Sequence, residues 1–231
     1  MKFQATVQNN LQGIVLINKP AGITSHDVVS IVRRTFKMKR VGHAGTLDPM
    51  ATGVLVILLG VSTKLSDKFV AFDKTYRATL RLGLKTTTAD IMGQTLQERS
   101  YEGIDEGAVR KVFGQFIGET QQLPPMVSAV KHKGERLYKI ARQGLVVERI
   151  ARKVRIDELT ILESRLPDVE FLMSCSKGTY VRQLAEDVGE VLGCGACISQ
   201  IERTKVGPFD IKDAVTLENL NESHILKWPS S

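Results

Sequence analysis

Gly42-His43-Ala44-Gly45-Thr46-Leu47-Asp48-Pro49-Met50-Ala51-Thr52-Gly53-Val54-Leu55 joins the basic end of a helix to a buried strand. Two glycines around His43 let the backbone approach a neighbour closely. Pro49 steers Asp48 away from helical geometry, so the aspartate is expected in a turn at the mouth of a sheet. An Asp-Pro step is also an ordinary turn former, and a single histidine is more often structural than catalytic. Residue types alone name no reaction here.

Outward from this loop the pattern mixes strands and helices. Gly13 to Asn18 reads as a buried strand, ended by the turn Lys19-Pro20-Ala21-Gly22. Thr24 or Ser25 then caps a helix to about Lys37, with Val28, Val29, Val32 and Phe36 as its apolar stripe. Val41 to Met50 reads as a loop, followed by the strand Val54 to Leu59. Thr75 to Gly83 alternates, with Tyr76, Ala78, Leu80 and Leu82 on one face. Asp105 to Ile117 predicts an amphipathic helix that buries Val109, Val112, Phe113, Phe116 and Ile117. Lys133-Gly134 predicts a hairpin or turn, and Leu137 to Arg142 a short helix. Val154 to Leu162 and Val169 to Cys175 read as strands, and Thr179 to Leu192 as a helix stopped by Gly193. Ile198 to Val206 reads as a last strand, and a short helix is expected around Leu217 and Leu220. Hairpin-like neighbours, rather than strict strand-helix alternation, predict an α+β fold on a mixed, largely antiparallel sheet flanked by helices.

The 231 residues fit a single domain over 1–231, with a basic excursion at about 121–152. At 42% hydrophobic content the chain can bury a core, which excludes intrinsic disorder. No apolar run approaches the roughly 18 residues of a membrane span, and Met1-Lys2-Phe3-Gln4 does not open like a signal peptide. The expectation is a cytoplasmic protein that does not enter the membrane. Cys175, Cys194 and Cys197 are an odd set that argues against a disulfide framework. Cys194-Gly195-Ala196-Cys197 has the spacing of half a zinc site or a redox pair, but a second ligand pair is missing. The plainer reading is two small residues at a Gly-rich helix end.

Charge is concentrated. From Lys131 to Arg155 lie nine cations against Glu135 and Glu148, nine minus two, which equals the net charge of +7. A second basic run holds Arg33, Arg34, Lys37, Lys39 and Arg40. Such runs attract polyanions, nucleic acid first, although one run alone is usually a solvated face.

The opening stretch resembles, almost letter for letter, the catalytic signature of the TruB pseudouridine synthases. Other stretches are similar to the same family in the same order. These are Gly13 to Pro20 with Gly22 and Ser25, then Lys74-Thr75-Tyr76, then Leu82-Gly83 with Thr88, Asp90 and Gly93. Pro125, Ser128, Ala129, Lys131, Gly134, Tyr138, Ala141, Arg142 and Gly144 resemble its RNA-gripping insert. Cys175 to Arg182 resembles its third motif, and Arg203-Thr204 with Gly207 and Phe209 its last. The resemblance runs from about residue 13 to 220.

It implies the pseudouridine synthase fold and an isomerase that converts uridine 55 in the T-loop of tRNA to pseudouridine. No metal or cofactor is implied, and no guide RNA or protein partner; the chain is expected to act as a monomer on the tRNA T-arm. The reaction needs a carboxylate held rigidly against the nucleotide, and the resemblance assigns this to Asp48. Arg182 matches the arginine that keeps that carboxylate ionised and oriented. Tyr76 matches the tyrosine that stacks on the target base, and Tyr180 and Ile201 match the walls of the base pocket. His43 matches the ring that fills the space of a base flipped out of its stack. Lys131, Lys133, Arg136, Lys139 and Arg142 are read as phosphate contacts of the insert. Two departures stand out. Glu202 replaces a cation in Ile201-Glu202-Arg203-Thr204, and with the sequence read to Ser231 the C-terminal PUA module that many members carry is not expected. The rivals are a guide-RNA-dependent relative, a non-catalytic RNA chaperone, and a zinc or redox protein built on Cys194 and Cys197.

Overall fold

A computed structural model describes residues 10–228 apart from Ala129, Lys133 and Val146; the side chains of Lys131, Tyr138, Lys139 and Arg142 also lie outside the description. The chain forms two compact units, Met1–Phe72 with Glu202–Ser231, and Asp73–Ile201. The fold is α+β, with largely antiparallel pairing and, among the described residues, parallel pairing of Glu202 and Arg203 with Thr52 and Gly53.

In the first unit, β1 (Gly13–Lys19) is buried along nearly its whole length. Thr24 accepts from the Asp27 amide, and the Asp27 carboxylate accepts from the Thr24 amide, a capping box that starts α1 (Ser25–Thr35). Val28, Val29 and Val32 face inward as the spacing predicts. Val41 to Ala44, expected in a loop, is instead a strand, β2 (Val41–Ala44). It pairs antiparallel with β3 (Thr52–Leu59) from Val41↔Leu59 to Ala44↔Val56, while β1 pairs with β3 from Gly13↔Leu59 to Lys19↔Gly53. Val56 to Leu59 is buried, so amides and carbonyls on its second edge need partners, and β2 supplies them. A 3-10 turn over Gly60–Leu65 leads into α2 (Ser66–Val70). Its Phe69 sits among Phe72, Phe209 and Trp228, at ring-centroid distances of 5.8, 6.0 and 5.0 Å.

In the second unit, β4 (Lys74–Leu82) buries every other residue. A short hairpin follows, β5 (Leu84–Thr86) with β6 (Thr95–Glu98). Asp105 caps α3 (Glu106–Gly114), which buries Val109, Val112 and Phe113. The helix stops three residues short of the predicted end. Gln115 caps it and Gly118 (φ 101°) opens β7 (Gly118–Gln122), so the helical phase is lost and Ile117 is 51% exposed rather than buried. Gly134 (φ 91°) lies between β8 (Lys131–His132) and β9 (Glu135–Arg136), a hairpin that runs into α4 (Leu137–Arg142). β10 (Arg152–Arg165) and β11 (Asp168–Cys175) complete a meander in the order β4, β11, β10, β7. Gln122 and Arg152 are paired across β7 and β10, so the segment between them leaves the sheet and returns at one place.

α5 (Val181–Leu192) ends at Gly193 in the left-handed conformation. β12 (Ala196–Val206) then leaves the second unit and ends in the first, where Glu202 and Arg203 pair parallel with Thr52 and Gly53 and β13 (Phe209–Asp210) turns back on it. The helix expected around Leu217 and Leu220 is a turn followed by a 3-10 turn at Glu222–His224. Val215 and Leu226 both bond to β1, at Leu16 and Asn18 and at Ile14, so the backbone between them has to loop out.

Candidate active site

The loop that carries Asp48 is held from both sides by the first unit. The Ser25 hydroxyl donates to the Leu47 carbonyl (2.9 Å) and accepts from the Leu47 amide (2.8 Å), fixing the residue before Asp48. The Ala51 amide closes a turn onto the Asp48 carbonyl at 3.1 Å. Lys19, fully buried, aims its ammonium at three carbonyls: Pro20 and Ile23 at 2.8 Å and Pro49 at 3.2 Å. Burial pushes Lys19 down to about 8, and Arg203 adds repulsion; Asp48 and Asp27 oppose the shift. Arg203, only 1% exposed, donates to the carbonyls of Val54 (2.8 Å), Gly45 (3.1 Å) and Thr46 (3.4 Å). Asp48 itself is half-buried, as is His43 on β2.

Tyr76, Tyr180, Arg182 and Ile201 belong to the second unit. Tyr76 lies on the buried face of β4, as the alternation predicts, and Ile201 is half-buried on β12. Tyr180 precedes α5. The Gln122 carboxamide both accepts from its amide (2.7 Å) and donates to its carbonyl (3.0 Å). Two residues on, Arg182 is buried, 3% exposed, at the start of α5. Its guanidinium donates to the Thr88 and Val127 carbonyls, both at 2.8 Å, and lies 3.7 Å from Asp90. Asp90 is fixed in turn by the Thr88 hydroxyl (2.6 Å) and the Met92 amide (3.1 Å). A buried guanidinium bound this way is a fixed positive charge, suited to hold an anion or a carboxylate in one place.

Of the insert residues, Arg136 is exposed on β9. Lys133 lies outside the described residues, as do the side chains of Lys131, Lys139 and Arg142. Cys194 and Cys197 are buried and not disulfide-bonded. Burial first, and then the charge of Asp90, pushes the Cys197 thiol up to about 11; burial pushes Cys175 up to about 12. Thiols held neutral in this way are poor nucleophiles and poor metal ligands. Among the described residues no cluster of histidine, cysteine and carboxylate side chains could hold a metal ion.

A family model described as TruB family pseudouridylate synthase (N terminal domain) matches residues 33–181. A second, described as tRNA pseudouridylate synthase B C-terminal domain, matches residues 182–228. The chain belongs to the TruB family. TruB relatives include the tRNA pseudouridine synthase B of Burkholderia pseudomallei, 48% identical over 91% of this chain and 70% of that protein. That of Clostridium tetani is 49% identical over 94% of this chain and 75% of its own length. Among solved structures, a Cbf5-Nop10-Gar1 complex gives a TM-score of 0.71 at 30% identity, over 90% of this chain and 53% of that one. An H/ACA RNP bound to a substrate RNA containing 2'-deoxyuridine gives 0.68 at 27%, over 90% and 52%. The TruB chain thus spans about half the length of these solved relatives.

Four residues were quoted in the sequence motifs or passed over without a role: Lys19 and Arg203, which hold the Asp48 loop in the first unit, and Asp90 and Gln122, which hold Arg182 and Tyr180 in the second. The signal for Lys19 was a cation closing an otherwise apolar strand. For Arg203 it was a cation beside apolar Val206 and Ile201. Neither pattern reveals that loop carbonyls converge on the side chain.

Proposed function

We propose that this TruB-family isomerase converts uridine 55 in the T-loop of tRNA to pseudouridine. The support is that its curated relatives carry the name tRNA pseudouridine synthase B, together with one structural observation: the Asp48 loop is tethered on both sides, through carbonyls, by the buried cations Lys19 and Arg203. The reaction breaks the bond from ribose C1' to N1 of the base and makes one from C1' to C5. C5 gives up its proton and N1 takes one, so atoms and electrons balance with no oxidant, and a positioned carboxylate is the main chemical demand.

In this reading Asp48 acts as nucleophile or base, Arg182 supplies the fixed positive charge, and Tyr76 stacks on the base. Tyr180 and Ile201 wall the pocket, and the His43 ring fills the gap left in the RNA stack, offsetting part of the few kcal/mol that flipping costs. Segment 121–152 grips the T-arm backbone through Lys131, Lys133, Arg136 and Arg142. The enzyme works as a cytoplasmic monomer, with no cofactor, guide RNA or protein partner.

Pseudouridine mapping on an unmodified tRNA transcript, incubated with the purified protein alone, tests this. Product at uridine 55 that disappears with Asp48→Asn, while tRNA binding persists, is the expected result. Turnover by Asp48→Asn would remove Asp48 from the mechanism. The likeness to the Cbf5 complex favours one second reading, dependence on guide RNA and protein partners. Activity that appears only when such partners are added would establish it.

A further inference from the structure

We propose that Arg203 is a positioning residue for the reaction, acting as a tether that sets the height and direction of the Asp48 loop. This rests on the reading of Asp48 as the reacting carboxylate.

Arg203 sits on β12 opposite Gly53 of β3, and the two backbones nearly touch. A Cβ on Gly53 would lie 2.3 Å from the Arg203 carbonyl oxygen, and Gly53 holds φ at 98°. Only glycine fits there without a shift. From that anchor the side chain turns back under the loop. Nε donates to the carbonyl of Val54 after the loop, and the two Nη groups donate to those of Gly45 and Thr46 before it. One planar group thereby binds both stems of the segment that carries Asp48. Lys19, by contrast, reaches only the Pro49 carbonyl of that segment.

The choice of partners is informative. A buried guanidinium is commonly matched by a carboxylate, yet no ion pair of Arg203 with a carboxylate occurs among the described residues, and its hydrogen bonds go to loop carbonyls. Its directional fork therefore encodes geometry. A lysine keeps the charge but has no planar fork and cannot hold both stems in the same plane.

Single-turnover rates on an unmodified tRNA transcript, with transcript Kd and protein Tm measured alongside, test the proposal. Arg203→Lys is expected to fold, to bind the transcript within about twofold of the native protein, and to convert it about a hundredfold more slowly, the scale of a misplaced reacting group. Arg203→Met, which keeps bulk and has no donor, is expected to be slower still. A rate within about threefold of native in either folded variant overturns the proposal. Unfolding of both variants also overturns it, because the arginine would then serve the fold. Asp48→Asn run in parallel separates the two readings. If it is dead while Arg203→Lys is as fast as native, the tether falls alone. If it is active, the reading of Asp48 falls, and the tether falls with it whatever the rate of Arg203→Lys.

Discussion

At the scale of single residues, the candidate site is organised by polar groups buried where sequence reading expects solvent. Lys19 shows what this costs. Its value falls from 10.5 to about 8 in the folded chain, so between those pH values the unfolded chain holds a proton that the folded chain has shed. Unfolding free energy from this group therefore rises with pH across that window. At about 1.4 kcal/mol per pH unit the gain is about 3 kcal/mol at most. Cys175 and Cys197 act in the opposite sense: burial raises both above 9, so their contribution is lost as pH climbs past 9. Denaturant melts of the native protein and Lys19→Met, taken from pH 7 to 10, isolate the lysine. The native protein is expected to gain on the variant steadily above pH 8, and parallel curves would contradict the assignment. Gln122 gives a second residue-scale prediction. Its carboxamide fixes both backbone groups of Tyr180, so Gln122→Leu should lower turnover more than tRNA binding, read by single-turnover rate against Kd.

At the scale of elements, legibility followed periodicity. β4 was readable because its two faces differ, and β10 and β11 because apolar residues recur between turn residues. β2 was not: Val-Gly-His-Ala has little strand preference, and the segment is a strand because β3 offers a buried edge. Ile117 failed because Gly118 breaks the helical phase and opens β7, and the tail because its bonds to β1 override the local pattern. The motif positions of Asp48, Tyr76 and Arg182 were visible, but the carbonyl cages around Lys19 and Arg203 were not, because they join residues far apart in the chain. Two element-scale substitutions follow. Thr24→Ala removes one half of the α1 capping box and should lower stability by about 1 kcal/mol in urea melts. Gly189→Ala is expected to be far worse. A Cβ there would lie 2.1 Å from the Ala196 amide nitrogen, so α5 must lift from the start of β12. Loss of several °C in Tm, with a fall in turnover from displacement of Arg182, would bear this out.

At the scale of the whole molecule, the charge count needs refining. The run from Lys131 to Arg155 equals the net charge of +7, but two of its cations face acids: Lys153 meets Glu119 at 2.6 Å, and Arg155 meets Asp157 and Asp73 at 2.6 and 3.1 Å. These exposed pairs add little stability, yet they spend charge that would otherwise draw a polyanion. The attraction therefore concentrates in residues 131–149, the part that has left the sheet. Binding of tRNA should weaken steeply with salt. Neutralising Lys131, Lys133 and Arg136 together should lower the slope of log K against log salt by about two to three. An unchanged slope would move the RNA-binding surface elsewhere.

The closure of that excursion has a further consequence. Because Gln122 and Arg152 are paired, the sheet does not register how many residues intervene. Doubling the length of such a closed segment costs only about 0.6 kcal/mol in chain entropy. The segment is thermodynamically a closed loop: residues can be added to it or taken from it at little entropic cost, with the strand register beneath unchanged.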